Sequence, residues 1–222
     1  MDDTSGDCWY RPGQLARRLF YTNADGEETD PDTAINVALD GDWEQLEPDV
    51  VIILCDESAS TYDRFLAITA LARWGSPTGY EAVRAAAEDP EAQPWRGMSI
   101  DRLHSLDNTF ALLTESVASS RDQALERGTS AERLAALAAL ISIADQVYFD
   151  HNLSRSCLYP QDIEELRRPI EEQIQRGLAK LGAAQSPFMG WVDDQVEELI
   201  EALSLFDKSA ADTYKARLVG LR

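Results

Sequence analysis

The sequence predicts an all-α protein in which antiparallel helices stack irregularly. From Ser58 onward, apolar residues recur at intervals of three and four, and glycines and prolines stand where helices would end or begin. With 222 residues and 44% hydrophobic content, the chain is long enough for one large domain that buries roughly 70% of its unfolded surface. We therefore expect a single helical domain over 1–222, acidic and less regular over 1–57 and a helical stack over 58–222.

The acidic first part carries three predicted helices. Residues 14–21 and 33–39 have a helical appearance, whereas 50–54 is rich in β-branched residues and also suits a strand. Because 50–54 has no obvious strand to pair with, and Pro48 suits the first turn of a helix, we expect a helix there.

Glycine and proline mark the next helix boundaries. Ser58 or Ser60 is expected to cap a helix that runs to Trp74 and stops at Gly75. A second helix then begins at Pro77 and ends near residue 89. A third is predicted from Ser99 to Arg127, with apolar residues at helical spacing and a glycine directly after it.

The next predicted helix follows a sequence typical of a capping box, Thr129-Ser-Ala-Glu132. Apolar residues cover most of its circumference, so we expect it to be the central buried helix. The remaining predicted helices are a short one from Pro160, one that restarts at Pro169, and two over about 189–204 and 207–220.

Residues Ser60 to Asp89 resemble a HEAT-type helical pair. They contain an apolar first helix, a Gly-Ser-Pro turn, and a second helix, GYEAVRAAAEDP, that ends in an Asp-containing turn. A clean repeat at about 40 residues, as regular arrays show, is absent. The resemblance therefore implies an irregular, α-solenoid-like stack rather than a regular array.

The net charge is −20, from 40 acidic and 20 basic residues. Nucleic acid would need a basic stripe, and the sequence has only isolated pairs such as Arg17-Arg18. Anionic membrane surfaces are disfavoured for the same reason, and no apolar run approaches the ~18 residues of a membrane span. A basic protein partner is favoured, because long-range attraction speeds its encounter.

The first sixty residues hold fifteen acids and three bases, so more than half of the excess charge lies there. We expect this cluster to bind a partner, although a merely solvated acidic segment has the same composition. The expected contact residues are Asp25, Glu27, Glu28, Asp30, Asp32, Asp40, Asp42, Glu44, Glu47 and Asp49.

Trp95 and Arg96 form an aromatic–cation pair in a proline-bounded loop, and we include both as expected partner contacts. Such pairs are common in interfaces. The alternative is that Trp95 fills a gap between helix layers while Arg96 pairs with a neighbouring acid.

Motifs for catalysis and cofactor binding are absent, including a Walker loop, GxGxxG after a strand, and HExxH. We therefore expect a non-enzyme without a cofactor or metal. Two alternatives stay open. His104 or His151 could act as an acid or base. Asn23, Asp25 and Gly26 stand at positions three, five and six of a calcium-binding loop and Asp32 at position twelve, but Tyr21 at position one and Asp in place of Glu at position twelve depart from that pattern, which favours an ordinary polar turn.

A carboxylate metal site on the predicted helix over 189–204 is another alternative. Its acidic face is formed by Asp193, Asp194, Glu197, Glu198 and Glu201. The sequence has no Glu-x-x-His pair of the kind that a di-metal helical bundle uses, so a solvated amphipathic face is the favoured interpretation. The residues Met-Asp-Asp-Thr-Ser lack the features of a signal peptide, and three scattered cysteines suit a reducing compartment. We therefore expect a cytoplasmic location.

An acidic, signal-free, all-helical chain without catalytic motifs resembles the immunity proteins that neutralise bacterial toxins. The resemblance implies cytoplasmic binding of a cognate toxin, such as a basic nuclease domain, whose phosphate-binding surface acids could cover. The alternatives are a non-catalytic helical scaffold or adaptor, or an all-helical enzyme using one of the two histidines.

Overall fold

The computed structural model describes residues 10–41, 43–101, 105–183 and 190–222. These residues form twelve α-helices and one pair of two-residue antiparallel strands, which confirms the all-α class. The helices are α1 (Gln14–Phe20), α2 (Pro31–Ala38), α3 (Trp43–Cys55), α4 (Thr61–Arg73), α5 (Pro77–Glu88), α6 (Thr109–Ser119), α7 (Arg121–Arg127), α8 (Ser130–Ile141), α9 (Pro160–Glu165), α10 (Arg167–Ala183), α11 (Gly190–Leu203) and α12 (Lys208–Val219), and the strands are β1 (Ile100–Asp101) and β2 (Leu106–Asp107).

The chain divides into two compact units, Met1–Ala67 and Ile68–Arg222. We call them the N-terminal unit and the C-terminal unit. The division falls within α4, about ten residues beyond the boundary at 57 at which the sequence changes character. Within the described residues, none of the helices combines the length and apolar character that crossing a bilayer requires.

In the N-terminal unit, α1 packs against α2 and α3. Phe20, Ile35, Val50 and Ile53 are buried among these helices. Residues 50–54 are helical, as predicted, because α3 extends over Trp43–Cys55. The helix begins earlier than expected, so Pro48 lies inside it and not in its first turn.

A buried carboxylate holds the segment before α1. Asp63 is 2% exposed. It accepts hydrogen bonds from the Tyr10 hydroxyl and from the backbone N–H of Gly13, the latter at 3.1 Å. Burial and the bond to Asp63 raise the pKa of Tyr10 far above its ordinary value. Ser60 caps α4, since its Oγ accepts from the Asp63 N–H at 3.0 Å.

In the C-terminal unit, α8 is the central helix, as predicted. It packs against α5, α6, α7 and α10. Ala136, Leu137, Leu140 and Ile141 are fully buried on it. The second half of the unit is formed by α10, α11 and α12, which contact one another.

The predicted corner between α4 and α5 is present. Gly75 has φ +75°, a conformation that favours glycine, and it follows the end of α4. Gly79 allows α5 to approach α4 closely. A Cβ there would lie 2.5 Å from the carbonyl carbon of Leu71 and would also collide with the Ala72 nitrogen.

The capping box predicted before α8 does not form. Thr129 is the N-cap residue, but its side chain makes no capping bond. Its hydroxyl instead donates to the carbonyl oxygen of Gly75 at 2.9 Å. The hydroxyl therefore bonds to a tertiary carbonyl acceptor and not to the local backbone N–H donor that a capping box would use.

The helix predicted from Ser99 begins only at Thr109, and β1 and β2 precede it. The Asp107 carboxylate accepts hydrogen bonds from Arg96 Nε at 3.0 Å, from Gly97 N at 3.1 Å and from Thr109 N at 3.0 Å. These bonds hold the chain in a loop at this point. An Asp side chain can bond to nearby backbone N–H groups in this way and so compete with helix formation.

Candidate functional site

The turn between α1 and α2 is organised by Asn23. Its Oδ1 accepts from the backbone N–H groups of Asp25 at 3.0 Å and Glu27 at 2.8 Å. Thr22 and Glu28 form an antiparallel bridge across the turn. The oxygen that a calcium loop would supply is thus engaged by backbone amides, as in an ordinary Asx turn. Among the described residues, no group of three or more His, Cys, Asp or Glu side chains is arranged to hold a metal ion.

The structure places the predicted acids on this turn and on the two helices that follow it. Asp30 is the N-cap of α2 and accepts from the N–H and hydroxyl of Thr33 at 3.0 and 2.7 Å, which lowers the Asp30 pKa. The other predicted acids with described positions are Asp25, Glu27 and Glu28 in the turn, Asp32 in α2, Asp40 between α2 and α3, and Glu44, Glu47 and Asp49 in α3. Asp42 lies outside the described residues.

Five of these acids are exposed and have no hydrogen-bonding or ionic partner among the described residues. The side chains of Asp25, Glu27, Glu28, Asp40 and Glu44 form no hydrogen bond or ion pair with any residue that the structure describes. In the sequence, no lysine, arginine or histidine stands between Arg18 and Arg64. The surface therefore keeps its negative charge.

The acidic face of α11 differs. Arg222 donates to Asp193 Oδ2 at 2.9 Å and to Glu197 Oε2 at 2.5 Å. Glu198 bonds to His151. These acids make contacts within the C-terminal unit, so the metal-site alternative has no geometric support in the described part of the chain.

A groove of about 300 Å³ lies within the N-terminal unit, bounded by α1, the Asn23 turn, α2 and α3. Its apolar lining residues are Leu19, Ala24, Ala34, Val37, Ala38 and Leu46. Val37 is 61% exposed. Arg18 and Asp49, which form an ion pair, also line the groove. The exposed acids Asp25, Glu27, Glu28, Asp40 and Glu44 lie on the same turn, on α3 and on the connection that leads into α3.

Trp95 and Arg96 lie in the C-terminal unit and have local roles. Trp95 is 3% exposed, and its ring centroid lies 5.2 Å from that of Phe110. Arg96 pairs with Glu91 at 2.6 Å and with Asp107 at 3.0 Å. This placement favours the packing alternative, because Trp95 offers almost no surface to a partner. We leave both out of the candidate binding surface.

His151 lies in the C-terminal unit, and its Nδ1 bonds to Glu198 Oε1, which raises the His151 pKa. Asp150 and His151 both have positive φ, 44° and 65°, which is uncommon for residues other than glycine. Burial raises the pKa of Glu198, whose Oε2 is buried without a hydrogen-bond partner. His104 lies outside the described residues.

A second cavity, of about 370 Å³, lies in the C-terminal unit. Its lining includes Glu115, Asn152, Arg155, Cys157 and Tyr159. His151 lines neither this cavity nor the groove of the N-terminal unit.

Sequence reasoning located the acids but not the groove beside them. The buried face of α2 is marked by Ile35 and Ala38. Ala34 and Val37, three residues apart, form a second apolar pair that lines the groove. That pair is the signal that the sequence offers, but most of the remaining lining comes from α1, the Asn23 turn and α3, whose arrangement around α2 the sequence pattern does not predict.

Comparison with protein-family models, curated proteins and solved structures found no match.

Proposed function

We propose that the protein is a cytoplasmic immunity protein that binds and neutralises a basic toxin domain through the acidic surface of its N-terminal unit. The proposal includes two further points: the toxin and this protein form a bacterial toxin–immunity pair, and the helices stack in a HEAT-like manner. The observation that carries it is the group of five exposed acids that have no ionic partner among the described residues. The sequence between Arg18 and Arg64, which carries these acids, has no basic residue.

Charge is the expected basis of recognition. Uncompensated acids attract a cationic surface over distances of the order of the Debye length, about 8 Å at physiological ionic strength. Such steering raises association rates by about 10- to 1,000-fold. A nuclease-like toxin suits this surface, because the cations it uses for phosphate groups would be covered by carboxylates. The same acids oppose the binding of nucleic acid by this chain.

The test is affinity capture from a lysate of the native host, with the wild-type chain and with a fourfold charge-reversed variant, in which four acidic residues are replaced by lysine. The variant carries Asp25→Lys, Glu27→Lys, Glu28→Lys and Asp40→Lys. We expect the wild type to capture a basic protein that the variant loses. Association with the purified partner should be at least about tenfold slower for the variant and depend less steeply on salt.

A matched control reverses four exposed acids of the C-terminal unit. Glu88, Glu126, Glu164 and Asp212 make no side-chain hydrogen bond or ion pair with the described residues, and their change to lysine alters the net charge equally. This control should retain the partner. Equal losses by both variants would show a general charge effect and contradict the proposed surface.

Growth assays separate an immunity protein from an adaptor. A toxin should arrest growth when expressed alone, and wild-type chain should restore growth while the charge-reversed variant should not. A captured basic protein without toxicity would favour the adaptor alternative.

A further inference from the structure

The groove of the N-terminal unit has an apolar component in its lining, and the turn and helices that form it also carry the exposed acids. Leu19, Ala34, Val37 and Leu46 contribute apolar surface from three different helices. Val37 is 61% exposed although it lines a concave site. A single exposed valine is ordinary on a protein surface, but a concave apolar lining is the usual form of a binding site.

The groove's size limits its occupant. A volume of about 300 Å³ is at the lower end of the range for ligand pockets, which is roughly 300–1,000 Å³. It suits one or two large side chains from a partner. A side chain seated in a desolvated pocket and surrounded by polar contacts is the usual arrangement at the centre of a protein interface.

The charge around the groove selects the occupant's chemistry. Asp25, Glu27 and Glu28 lie in the turn at its edge, and Asp40 and Glu44 lie on the connection into α3 and on its first turn. The basic lining residue is Arg18, which pairs with Asp49. An anionic amphiphile, such as a fatty acid, would meet repulsion here, whereas a cationic segment would meet attraction.

We propose that this groove receives a large apolar side chain that is flanked by lysine or arginine on the basic partner. The inference rests on the proposed function and adds a division of roles. The acids accelerate the encounter, whereas the apolar side chain in the groove slows dissociation and provides specificity.

The probes are three hexapeptide amides followed by backbone NMR shifts of the full chain at millimolar peptide. Their sequences are Lys-Lys-Leu-Phe-Lys-Lys, Lys-Lys-Ala-Ala-Lys-Lys and Glu-Glu-Leu-Phe-Glu-Glu. We expect the first to bind at least about tenfold tighter than the second, the factor for burying part of one large apolar side chain. It should shift the amides of Leu19, Ala34 and Val37, and the acidic peptide should not.

Val37→Asp distinguishes an apolar pocket from simple charge attraction. It adds a negative charge, so charge alone predicts binding of the first peptide that is equal or tighter. Insertion into the groove predicts binding that is at least about fivefold weaker, because a carboxylate would have to be desolvated. Val219→Asp is the matched control, since Val219 in the C-terminal unit is 60% exposed, and it should leave binding unchanged.

Each contrary result overturns one part of the proposal. Equal affinity for the two cationic peptides, or tighter binding by Val37→Asp, overturns the groove proposal and leaves the acidic surface intact. Equal binding of the acidic peptide overturns the cationic commitment, and the absence of shifts with all three peptides overturns the groove as a binding site. Failure of the proposed function is measured separately, by capture with the fourfold charge-reversed variant.

Discussion

A buried ion pair in the C-terminal unit gives the sharpest stability prediction. Arg133 on α8 and Asp162 on α9 have side chains that are 2% and 7% exposed. Arg133 Nη1 and Nη2 donate to the two carboxylate oxygens at 3.0 and 2.8 Å. Its Nε and Nη2 also donate to the carbonyl oxygens of Val117 and Ala118, at 2.8 and 2.7 Å. One side chain therefore joins α8 to α9 and to the last turn of α6.

Arg133→Met should destabilise the protein by about 3–5 kcal/mol, the usual result of leaving one charge of a buried pair without its partner. The methionine fills much of the arginine's volume, so the loss comes chiefly from the desolvated Asp162 carboxylate. For a chain of this length, the expected fall in Tm is roughly 6–20 °C. The assay is urea unfolding followed by tryptophan fluorescence and circular dichroism.

The double variant, Arg133→Met with Asp162→Leu, removes both charges and should recover at least half of the lost stability. The control is Arg84→Met, because Arg84 and Glu81 form an exposed pair whose loss should change stability by less than about 1 kcal/mol. A loss below about 1 kcal/mol for Arg133→Met would refute the reasoning, as would a double variant less stable than the single one.

Three further changes probe other contacts. Gly79→Ala should destabilise the protein by about 1–3 kcal/mol or more, since the added Cβ meets the backbone of α4; thermal unfolding measures the loss. Tyr10→Phe should cost about 1–3 kcal/mol in the same assay, because a buried carboxylate loses a donor. His151 should titrate by NMR with a pKa above its ordinary 6.5, because its ring bonds to Glu198, and Glu198→Gln should lower it. The stabilisation that protonated His151 contributes is then complete below pH 6.5, as long as Glu198 is ionised, and is lost as pH rises through the folded-state pKa of His151.

Each of these predictions has a contrary outcome. Gly190→Ala is the control for the glycine change, since a Cβ there meets no atom within 4 Å, and equal losses for the two would contradict a steric cause. Unchanged stability of Tyr10→Phe would mean that water replaces the phenol. A His151 pKa at or below 6.5 would mean that the bond to Glu198 does not persist in solution.

Helices were predictable where local signals and packing agree. Gly75 and Pro77 mark the corner between α4 and α5 in the sequence, and both have the expected roles in the structure. The failures have tertiary causes. The Thr129 hydroxyl finds an acceptor on Gly75, fifty-four residues earlier in the chain. Asp107 collects hydrogen bonds from a loop residue and from Arg96, so the predicted helix starts at Thr109.

The candidate site was predictable in composition but not in shape. Charge adds along the chain, so the acidic cluster is visible in the sequence before any fold is known. The groove depends on three helices and a turn meeting in space, and Leu19 and Leu46 look like ordinary core residues. For Trp95, the sequence does not predict whether the side chain is buried or exposed. Its burial depends on Phe110 and is not encoded in the Pro-Trp-Arg-Gly loop itself.

The distribution of acids in the N-terminal unit is itself an argument for binding. Asp30, Asp32 and Glu44 lie at helix N-termini, where the helix dipole and the free backbone N–H groups stabilise negative charge. Glu27, Glu28 and Asp40 lie outside the helices and have no such compensation in the described structure. A large net negative charge opposes folding through self-repulsion, and Glu27, Glu28 and Asp40 make no side-chain contact with the described residues that would offset it. A cationic partner would remove that repulsion on binding, and the groove formed in part by the turn that carries Glu27 and Glu28 is the place proposed for it.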